Sequence, residues 1–267
     1  MIGFNHLGRL GRTGNQMFQY AALRGIASNA GVNFCLPYYR NIVDDGIGNK
    51  LMTELFDYLN MSSVNELNIQ FIDKSRPIVQ ESQFNYNKKL HTECKDWVSL
   101  HGFFQTEKYF KNVEDIIRND FTFKDEILHP CQEMMSSIDN QVIALHIRRG
   151  DYLINSDNHN VLELDYYKKA LSKFSKDATV IVFSDDSEWC HNQDIFSEDR
   201  FMISNNENGY IDMCLMSMCT DFIIANSSFS WWAAWLGNRG KVIAPKKWFP
   251  HNNHDTSDIY CDGWEVI

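Results

Sequence analysis

The second half of the chain alternates between short apolar runs and longer amphipathic stretches. Runs rich in β-branched and aromatic residues predict strands at 142–145, 179–183, 201–203, 222–225 and 242–244. Apolar residues at helical spacing predict the intervening helices at 164–174, 187–193, 210–219 and 230–236. Strands that alternate with helices of this length are typical of βαβ units, so we expect an α/β fold with a parallel sheet.

The first half of the chain carries the same signals less regularly. A short strand is expected at 2–4, followed by a glycine-rich turn at 7–15. A helix is expected at 16–29 with Asn15 as its N-cap, and then a second strand at 32–36. The glycines lack the order of the dinucleotide-binding fingerprint, so chemistry alone leaves a structural turn and a ligand-binding loop equally open.

Four further elements are predicted before residue 140. A short helix is expected at 51–59 and a strand at 97–104. Thr106 can cap a helix whose apolar residues continue to Ile117, and another helix is expected at 124–137.

Polar clusters follow three of the predicted strands, at the point where each strand ends. They occupy residues 146–151, 184–186 and 226–230. Open α/β sheets bind ligands outside the carboxyl ends of their strands. We therefore expect these three segments, which are far apart in sequence, to converge on one crevice.

The charge of the chain makes the first cluster informative. The net charge is −10, which argues against a general affinity for nucleic acid or anionic membranes. Against this background, the adjacent Arg148 and Arg149 at a strand exit predict a local site for an anion such as a diphosphate. Adjacent residues tend to point opposite ways, so one arginine would face the ligand while the other braces a carboxylate such as Asp151.

The other two clusters allow more than one role. Asp185 and Asp186 could accept hydrogen bonds from a guanine or hold Mg²⁺, although with two arginines available no metal is required. The third cluster opens a helix, and its hydroxyl and N–H groups can cap that helix, bind an anion, or do both. The residues of this cluster expected to bind the anion are Ser227, Ser228, Phe229 and Ser230.

Cysteine usage and hydropathy bear on the cellular compartment. Seven cysteines, an odd number without a CxxC pair, favour reduced thiols and argue against a zinc site. No signal peptide is visible, and the apolar runs are far shorter than the ~20 residues of a membrane span. We therefore expect a cytoplasmic protein without a transmembrane segment.

Five stretches, in order along the chain, resemble the signature segments of the α-1,2-fucosyltransferases, glycosyltransferase family 11. They are GRTGNQMFQYA at 11–21, GFFQTEKYF at 102–110, HIRRGDY at 146–152, FSDD at 183–186 and NSSFSWWAAWL at 226–236. The resemblance implies a GT-B architecture, with two Rossmann-like domains that face each other across a cleft. The expected domains are 1–138, which would bind the acceptor, and 139–267, which would bind GDP-fucose.

The resemblance also implies an activity. It is the inverting, metal-independent transfer of L-fucose from GDP-β-L-fucose to the 2-hydroxyl of a galactose residue in a glycan, without a cofactor. Arg148 would contact the β-phosphate, and His146 with Asp185 or Asp186 would approach the guanine. Arg148 and Asp151 are the expected catalytic residues. The remaining residues expected to bind the donor are Arg149, Gly14, Asn15, Gln16 and the serine-rich cluster at 227–230.

Several points stay open at the level of sequence. The base that takes the acceptor proton could be Asp151, Asp157, Glu163 or an acid of the first domain. Transfer from the same donor in α-1,6 linkage, or to a protein hydroxyl, is an alternative. A non-catalytic sugar- or nucleotide-binding module, with aromatic residues as its platform, is a further alternative.

Overall fold

The computed structural model describes residues 1–46, 48–206, 208–251 and 254–267. The chain divides into two compact units: Met1–Thr122 with Asn253–Cys261, and Phe123–Asn252 with Asp262–Ile267. This division differs from the domain boundary expected between residues 138 and 139. The helix at Asp125–Ser136 belongs to the second unit because it packs on the helix at Gly209–Met218.

The first unit is built on a parallel sheet. Its strands are β1 (Ile2–Gly3), β2 (Phe34–Cys35), β3 (Val43–Asp44), β4 (Lys50–Leu51), β5 (Ile78–Gln80) and β6 (Val98–His101). Its helices are α1 (Thr13–Asn29), α2 (Leu55–Tyr58), α3 (Lys88–Glu93) and α4 (Glu114–Asp120). Four strands form the parallel sheet in the order β2-β1-β6-β5, while β3 and β4 pair separately as an antiparallel ribbon.

Helix α1 is buried along most of its length, which explains its dense apolar sequence. It starts at Thr13 with Arg12 as N-cap residue, so the predicted N-cap role of Asn15 is wrong. The side chain of Asn15 instead accepts a hydrogen bond from Gln105 at 2.7 Å. At Gly25 a β-carbon would lie 1.9 Å from the carbonyl oxygen of Tyr109, so this close approach requires glycine.

The helix expected after Thr106 is broken into shorter pieces. Thr106 does act as a cap, because its hydroxyl accepts from the backbone N–H of Lys108. The chain then forms two 3₁₀ turns, Glu107–Tyr109 and Lys111–Val113, before α4 begins.

The second unit repeats the βα pattern more completely. Its strands are β7 (Val142–Ile147), β8 (Thr179–Ser184), β9 (Phe201–Ile203), β10 (Asp221–Ile223), β11 (Val242–Ala244) and β12 (Glu265–Val266). Its helices are α5 (Asp125–Ser136), α6 (Gly150–Ile154), α7 (Leu164–Leu171), α8 (Ser187–His191), α9 (Gly209–Met218) and α10 (Ser228–Gly237).

In the described part of the second unit, the six strands are all parallel, in the order β12-β11-β10-β7-β8-β9. The parallel sheet predicted from the sequence is confirmed. Every residue of β7 is buried, as expected for a central strand of a sheet that is covered on both faces. The direction of winding reverses between β7 and β10, which makes their carboxyl ends the topological switch point where such sheets bind ligands. None of the helices among the described residues has the length and hydropathy needed to cross a membrane.

Candidate active site

Strand β7 carries a buried histidine to the switch point of the second sheet. The side chain of His146 is only 4% exposed, and its ring centroid lies 5.5 Å from that of Phe229 on the first turn of α10. Burial, and then the nearby Arg148, lower the pKa of His146 to about 3. The imidazole is therefore uncharged at neutral pH and can contribute hydrogen bonds but no charge.

Arg148 is the oriented cation of the site. Its guanidinium lies 2.6 Å from a carboxylate oxygen of Asp151 and 3.2 Å from one of Asp185. The side chain is 16% exposed. Burial lowers the pKa of Arg148, but Asp185 and Asp151 outweigh it and raise the pKa above its ordinary value. Arg148 thus keeps its charge in a position fixed from two sides.

Arg149 makes a different set of contacts. Its Nε donates to Asp186 at 2.9 Å, and its guanidinium carbon lies 3.9 Å from the ring centroid of Trp189. The second arginine therefore braces a carboxylate, as expected, but the partner named from the sequence is wrong, because Asp151 pairs with Arg148. Arg149 fastens the loop after β7 to α8.

The two neighbouring aspartates hold this arginine loop. Asp185 accepts from the backbone N–H of Arg149 at 2.9 Å and pairs with Arg148 through its other oxygen. Asp186 is the N-cap of α8, because its side chain accepts from the backbone N–H of Trp189 at 3.1 Å. The expected contact of either acid with guanine stays a prediction.

Gly150 permits the close approach of these segments. A β-carbon at this position would lie 2.5 Å from the Oδ2 atom of Asp185, the oxygen that pairs with Arg148.

Among the described residues, no group of three or more His, Cys, Asp or Glu side chains is arranged to hold a metal ion.

The start of α10 supplies a second element for binding an anion. Ser227 is the N-cap residue, and its side chain accepts from the N–H of Phe229. The first N–H groups of a helix have no partner within it, and they carry the positive end of the helix dipole. Ser230 is fully buried, and its hydroxyl donates to the carbonyl oxygens of Ala225 and Ser227. The exposed part of this cluster is therefore Ser228 and Phe229, both half-buried.

The three polar clusters are joined by direct contacts. Asp185 reaches Arg148, and the hydroxyl of Tyr152 donates to the carbonyl oxygen of Asn226 at 2.9 Å. The predicted convergence of the clusters is therefore confirmed, while their roles in binding stay predictions. Neither Tyr152 nor Trp189 was assigned a role from the sequence. Tyr152 nevertheless belongs to the arginine motif at 146–152.

The remaining residues expected at the donor lie in the first unit. Gly14, Asn15 and Gln16 form the start of α1. Gln16 is fully buried; its amide nitrogen donates to Met52 at 2.8 Å, and its amide oxygen accepts from Glu54 at 3.0 Å. These contacts give Gln16 a structural role, and donor binding by the three residues stays a prediction.

Curated relatives of the chain are glycosyltransferases. It is 37% identical over 200 residues to the O-antigen biosynthesis glycosyltransferase WbnK of Escherichia coli, covering 68% of this chain and 64% of the relative. It is 32% identical over 283 residues to an alpha-1,2-colitosyltransferase of Escherichia coli, covering 96% of each. It is 26% identical over 262 residues to galactoside alpha-(1,2)-fucosyltransferase 1 of Rattus norvegicus, covering 87% of this chain and 63% of the relative. The chain thus spans just under two thirds of the first and third of these relatives.

Solved structures share the fold at low sequence identity. Arabidopsis thaliana FUT1, a mutant in complex with GDP, matches with a TM-score of 0.59 and 10% identity, over 95% of this chain and 71% of that one. NodZ alpha-1,6-fucosyltransferase soaked with GDP-fucose matches with a TM-score of 0.56 and 11% identity, over 94% and 96%. The predicted GT-B fold class is confirmed.

A family model decides the classification. The model described as glycosyl transferase family 11 matches residues 2–267, which include all five signature-like segments and both compact units. Since this match extends over nearly the whole sequence, the chain belongs to glycosyltransferase family 11.

Proposed function

We propose that the protein is an inverting glycosyltransferase that moves L-fucose from GDP-β-L-fucose to the 2-hydroxyl of a β-galactoside. The observation that carries the proposal is Arg148, held by Asp151 and Asp185 at the carboxyl end of β7. This cation stands at the switch point of a doubly wound sheet, the position where such sheets bind nucleotides. Membership of family 11 and relatives named for α-1,2 transfer support the linkage.

The diphosphate is the part of the donor that this site suits best. A guanidinium makes bidentate bonds to phosphate oxygens, and the N–H groups at the start of α10 offer further donors. His146 is uncharged at neutral pH, so the positive charge that faces the diphosphate is that of Arg148. Metal independence is part of the proposal, because Arg148 and the helix start provide positive charge where a divalent cation would otherwise act.

The reaction follows from the charge that develops. As the bond between C1 of fucose and the β-phosphate oxygen breaks, negative charge grows on the phosphate. Arg148 and the α10 N–H groups stabilise that charge more in the transition state than in the ground state. The acceptor hydroxyl attacks C1 from the opposite face, so the β-linked donor gives an α-linked product.

Asp151 serves this step by orienting Arg148. Its carboxylate lies 2.6 Å from the guanidinium of Arg148 and is therefore engaged with that cation. We therefore assign Asp151 to positioning and leave the proton of the acceptor hydroxyl to another group.

A second donor is favoured by one comparison. The relative that covers 96% of the chain at 32% identity is named a colitosyltransferase, and colitose is L-fucose without its 3-hydroxyl. The phosphate chemistry of Arg148 is the same for either sugar, so the two donors differ only in contacts to the sugar ring.

The experiment compares both donors on a panel of β-galactosides. The purified protein is incubated with GDP-fucose or GDP-colitose, with and without EDTA, and released GDP is measured. The linkage and anomeric configuration of the product are determined by NMR. An α-1,2 product formed in EDTA is expected. An α-1,6 product or a fucosylated protein would support the alternative linkages, and binding without GDP release would support a non-catalytic module.

A further inference from the structure

A loop of the second unit folds back onto the arginine motif. After α6, the backbone N–H groups of Asn158 and His159 donate to the carbonyl oxygen of Asn155 at 3.1 and 3.0 Å. This turn brings the imidazole of His159 parallel to the ring of Tyr152, with ring centroids 4.2 Å apart and planes within 8°. Residues 153–161 show no hydrophobic periodicity, so the sequence did not predict this contact.

Tyr152 connects this loop to the oriented cation. The guanidinium carbon of Arg148 lies 5.5 Å from the centroid of the Tyr152 ring, within the range of a cation–π attraction. Tyr152 is 8% exposed, and its hydroxyl donates to Asn226 at 2.9 Å. Burial raises the pKa of Tyr152 to about 12, so the hydroxyl keeps the proton for this bond. The ring of Tyr152 is therefore held by Arg148, Asn226 and His159 together.

The residue after His159 ties the same loop to the start of α10. The side-chain nitrogen of Asn226 donates to the carbonyl oxygens of Asn160 and Trp248, both at 2.8 Å. Because Asn226 is buried, losing these bonds would leave unpaired polar groups in the interior. The loop is thus fixed to both elements proposed to bind the diphosphate, the arginine motif and the first turn of α10.

The charges that act on His159 come from the motif. Burial lowers the pKa of His159, Asp151 raises it and Arg148 lowers it again, and the net shift is downward. Asp185 is in turn paired with Arg148. The neighbouring Asn160 and Asn226 are uncharged. Lys247 contacts Asn160 only through its backbone carbonyl oxygen, so this contact brings no charge to the loop. At neutral pH the imidazole is uncharged, and its protonation would add a second cation beside Arg148.

We propose that His159 is a positioning residue for sugar transfer: stacked on Tyr152, it holds Arg148 in the orientation that binds the diphosphate of the donor. The proposal rests on the proposed function for the identity of that anion. The role requires a flat ring at position 159 that carries no charge. It does not require the imidazole to touch the substrate or to move a proton.

Two substitutions distinguish the stacking of the His159 ring from the hydrogen bonding and protonation of its imidazole. His159→Phe keeps an uncharged aromatic ring that can stack on Tyr152, and His159→Ala removes the ring. We expect H159A to weaken GDP binding and to lower kcat/KM by about tenfold to a hundredfold, the size of effect that a small displacement of a binding group produces. H159F should stay within about threefold of the wild type in both quantities. Calorimetry measures GDP affinity, and GDP release measures turnover.

The pH profile tests the requirement for an uncharged ring. In the wild type, kcat/KM should fall as the pH drops through the pKa of His159, which lies below its ordinary value of 6.5. Phenylalanine cannot be protonated, so H159F should lack this acidic limb. If residue 159 had a merely structural role, H159F would show the same acidic limb of kcat/KM as the wild type.

The control is an exposed histidine of the same unit. His129 is 68% exposed on α5, and H129A should match the wild type in GDP affinity and in pH profile. Equal losses in H159F and H159A would overturn the proposal, because the imidazole itself would then be required. Normal GDP binding in H159A would overturn it too. GDP binding needs no acceptor, so a wild type that binds GDP without transferring sugar contradicts the proposed function and leaves this test intact.

Discussion

Arg149 lies on the indole of Trp189, with its guanidinium carbon 3.9 Å from the ring centroid. Both residues also bind the carboxylate of Asp186: Arg149 through Nε at 2.9 Å and Trp189 through its backbone N–H at 3.1 Å. One aspartate therefore joins the loop after β7 to the start of α8. Arg149 thus connects two segments of the fold, whereas Arg148, held by Asp151 and Asp185, is the arginine that we propose for the anionic ligand.

Substitution of Asp186 should affect stability more than chemistry. Asp186→Ala removes the N-cap of α8 and the partner of Arg149, and we expect it to lower the free energy of unfolding by about 1–2 kcal/mol. Ser187→Ala is the matched control, with an expected change below about 0.5 kcal/mol. Denaturant unfolding measures both. A larger loss in S187A than in D186A would show that the cap of α8 is misassigned.

The sequence predicted the sheet of the second unit well for a physical reason. Helices cover both faces of a parallel sheet, so its strands are continuous apolar runs with clear ends, and β9 and β11 have the predicted bounds. The convergence of the polar clusters was predictable on the same basis, since carboxyl ends of parallel strands share one edge.

Side-chain pairing beyond the strand ends was less predictable. The sequence indicated that Arg148 and Arg149 have different partners. It assigned Asp151 to Arg149, whereas in the structure Asp151 pairs with Arg148. Asp151 follows Arg148 by three residues, and the turn that leads from β7 into α6 brings the two side chains together. The contact of His159 depends on a turn without a periodic pattern, so no signal in the sequence could have revealed it.

Replacement of Arg148 by lysine should separate charge from geometry. Lysine keeps the positive charge but has no fork to engage Asp151, Asp185 and the phosphate together. We expect R148K to fold normally and to lose about 10²–10³-fold in kcat/KM. Arg118→Lys, in the ion pair with Glu114 on α4, is the control and should keep wild-type activity. Near-normal turnover in R148K would remove Arg148 from the proposed mechanism.

Gly150 offers a test that leaves every charge in the site unchanged. In Gly150→Ala the new methyl group would push Oδ2 of Asp185 away from Arg148. Alanine favours a helix by up to about 1 kcal/mol over glycine, so stability should change little. Without the pairing to Asp185, GDP affinity should fall by about tenfold.

The control for this variant is another glycine at a helix start. A β-carbon at Gly209 would meet its nearest neighbour, an atom of the Phe229 ring, at 3.8 Å, which is an ordinary contact. Gly209→Ala should therefore leave GDP affinity unchanged. Equal GDP affinity in G150A and the wild type would mean that Asp185 does not orient Arg148.

His146 should make the stability of the protein depend on pH in a defined direction. Its pKa is about 3 in the folded state and 6.5 for an ordinary histidine, so below pH 6.5 the unfolded chain binds the extra proton. The stability contributed by this group is complete above pH 6.5 and is lost as the pH falls towards the folded pKa, by up to about 1.4 kcal/mol per pH unit. His146→Gln cannot titrate and should show a shallower decline. Denaturant unfolding of the wild type, H146Q and the exposed control His129→Gln between pH 7 and about pH 5 measures this difference. Parallel curves for the wild type and H146Q would mean that the pKa of His146 is the same in the folded and the unfolded chain, and its assignment as a group that burial keeps uncharged would then be wrong.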